Sequence, residues 1–174
     1  MFIHGSVLFS SLLVVQPVFS SILPVFPFTL DPDFDIRKVA ALAESLPSHS
    51  WEFGTASEAL LELYDPDISV FGSEPFSITE QYLKARRGQI RSLEYAKKVI
   101  VLGTGVNGLA DGDGAVGDPA SLGVSAVLLG QYLMPEEGAP YVNASLGEVE
   151  YIMDQAPRWS NGAIPHRVAA PELW

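Results

Sequence analysis

Aromatic rings, fixed cations and a histidine gather in one stretch, Ala156-Pro157-Arg158-Trp159-Ser160-Asn161-Gly162-Ala163-Ile164-Pro165-His166-Arg167, followed shortly by Pro171-Glu172-Leu173-Trp174. Pro157, Gly162, Pro165 and Pro171 exclude a long helix or a central strand there. The stretch reads as a loop, yet it holds two of the three tryptophans, two arginines and one of the three histidines. Flat aromatic faces and guanidinium donors together suit a polar ligand. Arg158 and Arg167 could grip a carboxylate through paired hydrogen bonds, or pair with the acidic surface of the protein itself. Trp51 and Trp159 could be stacking platforms, with core packing as the alternative for each. His166 could donate a proton or contact a hydroxyl, with a structural hydrogen bond as the alternative.

Cysteine is absent, so thiolate nucleophiles, disulfides and cysteine metal sites are excluded. No Gly-x-Ser-x-Gly elbow is present, which disfavours a serine hydrolase. With His4 in the leader, His49 and His166 are too few for a histidine-rich zinc site. Carboxylates remain, and hydrolysis of a glycosidic bond uses Asp or Glu as acid and base. Asp118 stands out because the glycine-rich run from Gly112 to Gly117 lets a ligand approach it. Asp118-Pro119 also spells a helix start, with the carboxylate as cap and proline at the first position, and the two roles are compatible.

Two other motifs carry less. Val99 to Leu102 followed by Gly103-Thr104-Gly105-Val106-Asn107-Gly108 matches a dinucleotide fingerprint in letters alone. The turn-forming, acidic Leu109-Ala110-Asp111-Gly112-Asp113-Gly114 follows at once, where a helix should hold the pyrophosphate. Asp111 and Asp113 have the first spacings of a calcium loop, but Ala115 replaces the third ligand and the closing glutamate is missing. A solvated turn is the simpler reading.

The elements that must position these groups are helical. Ile36, Val39, Ala40, Ala43 and Leu46 form an apolar stripe between a capping Asp35 and Pro47. Thr55-Ala56-Ser57-Glu58 is a capping box that opens a helix ending at Asp65-Pro66. One longer helix is predicted from about Thr79 to Val99. Asp118-Pro119 opens a fourth, with Leu122, Ala126, Leu129 and Leu133 on one side. Ser145-Leu146-Gly147-Glu148 is a second capping box, opening a fifth helix with Val149, Ile152 and Met153. The connections between them are long, Met134 to Val142 included, and they hold most of the Gly, Asp, Trp and Arg. The prediction is an all-α scaffold with its working surface on the loops.

The 174 residues suffice for one domain, and 48% hydrophobic against 18% charged residues describes a folded chain. A net charge of −11 argues against nucleic acid or an anionic membrane as partner. Met1 to Leu30 lacks Asp, Glu, Lys and Arg, and Val7 to Val15 has the length of a signal-peptide core. Gln16 and Pro17 break it too early for a membrane span. The expected organisation is a signal peptide over 1–20, a proline-rich segment over 21–34 and a helical domain over 35–174 of a secreted protein. Asn143-Ala144-Ser145 is a glycosylation sequon that fits a secreted loop.

The blocks Ser48 to Thr55, Leu109 to Gly123 and Ala156 to Arg167 together resemble secreted six-hairpin glycosidase-like proteins, and are similar to the unsaturated glucuronyl and rhamnogalacturonyl hydrolases. The resemblance implies an (α/α)6 toroid, of which this chain would be the amino-terminal part. It implies hydration of the enol-ether bond of an unsaturated uronic acid by an aspartate acid/base, with no metal or organic cofactor and an oligosaccharide as partner. Asp118 then matches an active-site aspartate, while His166 and Trp174 match residues that line the pocket. The family's principal acid/base aspartate would follow the position of Trp174. The expectation is therefore a truncated chain of little activity that exposes apolar faces. A non-catalytic carbohydrate-binding or interaction module is the alternative.

Overall fold

A computed structural model describes residues 33–72, 79–103, 109 and 114–169. The expected signal peptide, the Asp111 and Asp113 turn and Trp174 lie outside the described residues, as does nearly all of the proline-rich segment. The chain divides into two units, Met1–Phe34 and Asp35–Trp174, and the second carries the fold. It is all-α: six α-helices and no named strand occur among its described residues.

Helix α1 (Ile36–Ser45) starts where expected, because the Asp35 carboxylate accepts the Arg37 and Lys38 amides. Helix α2 (Ser50–Tyr64) ends at Asp65 as expected but begins five residues before the Thr55 box. The Thr55 hydroxyl instead donates to the Trp51 carbonyl inside the helix, at 2.8 Å. The single helix expected over 79–99 is two, α3 (Glu80–Ala85) and α4 (Arg91–Val99), parted by a turn in which Gly88 has φ of +75°.

Asp118-Pro119 opens a 3₁₀ turn (Asp118–Leu122) that runs into α5 (Gly123–Tyr132). The connection expected over Met134 to Val142 is instead the first half of α6 (Pro135–Glu150). Pro135 sits at the first helical position, where no amide is needed. Pro140 is tolerated one turn later at the loss of a single backbone bond. The Ser145 box is thus helix interior, and Ser145 donates to the Tyr141 carbonyl at 2.9 Å. Asn143 is exposed on this helix rather than on a loop, and Ser145 of the same sequon is buried.

Helix α5 carries no charged residue and packs against α2, α3, α4 and α6. Leu61, Ile68, Leu83, Leu93, Leu122 and Leu129 form the main core around it. Two polar ties close that core. The buried Tyr132 hydroxyl donates to Glu94 at 2.7 Å, while Arg87 donates to the Tyr132 and Leu133 carbonyls at 2.7 and 2.9 Å, sealing the end of α5. Buried Asp65 accepts from Arg86 and from the Ser92 hydroxyl, each at 3.0 Å, and so joins the end of α2 to the start of α4.

Asp65→Ala removes the carboxylate and leaves a half-buried guanidinium behind. The expected loss is about 3 kcal/mol of unfolding free energy, read from the shift of the urea midpoint. An unchanged midpoint would show that the Asp65 tie contributes nothing.

Candidate functional site

Three segments distant in sequence are joined along Gly114–Leu122, the stretch that holds Asp118. The first junction is a pair of backbone hydrogen bonds. The Val116 amide donates to the His166 carbonyl at 2.7 Å and the Val168 amide donates to the Gly114 carbonyl at 3.1 Å, with Ala115 and Arg167 forming an antiparallel bridge between them. Asp118 follows two residues after Val116 and is half-buried, as is His166. The second junction joins the 3₁₀ turn to α2. The Ser121 hydroxyl donates to the Asp118 carbonyl at 2.7 Å and lies 3.1 Å from the Ser50 carbonyl. Gly54 permits the approach, since a Cβ there would lie 2.6 Å from the Ser121 Cβ. Trp51, half of whose surface is exposed, sits next to Ser50 at the start of that helix.

The amino-terminal end of α2 is strongly polar. Glu52 accepts from the Ser48 amide at 2.7 Å, the His49 amide at 3.1 Å and the Ser48 hydroxyl at 3.1 Å. These donors, the Ser48 amide foremost, hold the Glu52 carboxyl down at about 2. His49 is the cap, and Glu52 reaches back to its amide in the manner of a capping box.

The carboxyl-terminal stretch hangs from an under-wound helix end. Helix α6 runs into a π turn (Tyr151–Gln155), where the Ala156 amide reaches the Tyr151 carbonyl at 2.7 Å. Val116, Tyr151 and Ala156 pack together as a separate buried cluster beneath the junction. Arg158 donates to the Ile152 and Met153 carbonyls, both at 2.9 Å, and to the Gly162 carbonyl at 3.2 Å. The guanidinium is thereby committed to a helix terminus, where positive charge is favoured. Trp159 lies on a tight turn closed by its amide to the Ala163 carbonyl at 2.8 Å, with 36% of its surface exposed.

The structure thus joins the segments of Trp51, Asp118, His166 and Arg167, and gives Arg158 structural work. Glu148, which the sequence marked only as part of a capping box, is a buried carboxylate on α6. It lies 3.5 Å from the Leu109 amide, on the connection that leads to Asp118. A cavity of about 490 Å³ lies elsewhere, walled by Ile68, Val70, Val124, Val127, Leu128 and Val149, and touches none of the expected site residues. No group of three or more His, Asp or Glu able to hold a metal occurs among the described residues. No helix among them is long and apolar enough to cross a membrane. No family model, curated protein or solved structure matches this chain.

Arg158→Ala should lower stability by about 1 kcal/mol, as three carbonyls lose a charged donor at an exposed helix end. Denaturant unfolding measures it, and a purely ligand-binding Arg158 would leave stability unchanged. Glu52 supplies a pH test. Its folded pKa is depressed from 4.5 to about 2, so its contribution is complete above 4.5 and is lost as pH falls toward 2. The stability difference between the native chain and Glu52→Gln should therefore shrink over that interval in urea titrations, and a constant difference would contradict it.

Proposed function

We propose that this protein is a secreted carbohydrate-active protein, with its site at the junction of the Ser50–Gly54, Gly114–Leu122 and Ala156–Val168 segments. Asp118 is the acid/base candidate, His166 a hydroxyl or proton contact, and Trp51 and Trp159 are faces on which a sugar ring stacks. Arg167 and, by the resemblance alone, Trp174 are the further substrate-binding candidates. The proposed substrate class is an oligosaccharide ending in an unsaturated uronic acid, and the proposed architecture is part of an (α/α)6 toroid. Both follow from the resemblance of the three blocks to unsaturated uronyl hydrolases.

The single observation that supports this reading is the Val116–His166 hydrogen bond at 2.7 Å. It joins two of those blocks directly, and Ser121 joins the third through Ser50. These contacts pair residues 50 or more positions apart and bring all three blocks to the stretch that holds the half-buried Asp118.

A second reading, binding without turnover, is favoured by a specific observation. Hydrolysis of a glycosidic bond commonly employs two carboxylates, and Glu148, a second carboxylate close to these segments, is buried against the backbone of Leu109. The loss of ultraviolet absorbance from unsaturated uronyl oligosaccharides separates the two. Turnover that falls about 10²–10⁴-fold in Asp118→Asn supports the enzyme. Calorimetric binding without absorbance loss, weakened about tenfold by Trp51→Ala, supports the binding module. Absence of both binding and turnover overturns the carbohydrate assignment.

A further inference from the structure

The apolar cavity has one wall on α5, one on α6 and a floor at Ile68 and Val70. Its apolar surface continues outward along α6 through Leu146 and Val149 and onto the π turn at Met153, all more than half exposed. These positions follow helical spacing, so the surface is an elongated trough rather than a round pocket. Its flank is acidic. Ser69, which lines the trough, donates its hydroxyl to Glu62. Glu58 lies one turn earlier on α2, and burial together with the Glu62 charge pushes its carboxyl above the ordinary range. No ion pair neutralises either carboxylate among the described residues. From Val99 to Pro157 the sequence has eight acidic residues and neither lysine nor arginine.

The same domain carries an outward apolar helix. Helix α1 buries Ala40 and is held to α4 by Arg91 donating to Glu44 at 2.7 Å. That attachment turns Ile36, Val39, Leu42 and Leu46 to solvent, with Leu46 70% exposed. The free edge of this stripe holds Lys38, Ala41 and Ser45, one cation and no carboxylate. The ten residues of α1 span about 15 Å, the length of two to three turns that helix-in-groove recognition employs. Being fixed to α2 and α4, α1 is not free to reach the trough of its own chain.

We infer that α1 of one copy seats its Ile36, Val39, Leu42 and Leu46 stripe in the α5–α6 trough of a second copy, with Lys38 facing the Glu58 and Glu62 flank. The two surfaces differ, so the contact is head-to-tail, and repetition gives an open chain or a ring. A single ten-residue helix forms a small interface, and the net charge of −11 opposes association. The contact is therefore of the weak class.

Sedimentation velocity on the 174-residue chain in 150 mM salt tests this with Val39→Asp in the stripe and Val127→Asp in the trough. Both positions are partly exposed, at 47% and 41%, and circular dichroism verifies that each variant keeps its helices. The native chain should associate with rising concentration. Each variant alone should dissociate at least tenfold more readily, and an equal mixture should form dimers and nothing larger. That mixture retains one intact stripe and one intact trough. A native chain that stays monomeric to about 200 μM overturns the inference. Association unaltered by either substitution, or a mixture that fails to dimerise, overturns it equally.

Discussion

The pairing of Gly114–Val116 with His166–Val168 is the constraint on which the candidate site depends. Two backbone hydrogen bonds and one bridge bring the glycine-rich approach to Asp118 against the end of a stretch rich in aromatics and arginine. Exposed backbone bonds contribute little in isolation, since water competes for the same groups. This pairing gains from what lies beneath it: Val116, Tyr151 and Ala156 exclude water from one side. The π turn belongs to the same arrangement, because it ends α6 at Ala156 and leaves carbonyls that Arg158 then satisfies.

The division of labour between the main core and this junction follows from composition. Helix α5 has no charge and lies among four other helices, so its position is set by burial. Ties such as Asp65 to Arg86 and Arg87 to the end of α5 satisfy polar groups that burial would otherwise leave costly. Gly54 marks where the two regions meet. The lack of a side chain there lets the 3₁₀ turn press on α2, so Asp118 is referenced to the core through Ser121 and Ser50. A site on a loop acquires precision only from such attachments.

Much of the scaffold was legible because local chemistry decided it. Asp35 and Pro47 bracket α1, and Asp65-Pro66 ends α2, by capping and by steric exclusion that need no tertiary context. The errors have equally local causes. His49 is an uncommon cap and works here only because Glu52 collects the Ser48 and His49 amides, so the Thr55 box drew the helix start too late. Tyr82, Ala85, Leu93 and Ala96 keep helical spacing across Gly88, which concealed the break between α3 and α4. Pro135 and Pro140 resemble breakers, but fall in the first turns of α6. Of the candidate site, the residue types stood in the sequence and the contacts between the segments did not. Arg158 on a helix end and Glu148 in the interior depend on how α6 meets other segments, and no spacing in the sequence encodes that.

The convergence of three blocks on Asp118 is tested most directly by a two-dimensional NMR titration of the chain with an unsaturated uronyl disaccharide. The account predicts that the Trp51 indole, the Val116 amide and the His166 ring shift together along one saturable curve. Shifts confined to the trough residues Val127 and Val149, or none at any ligand concentration, would contradict it.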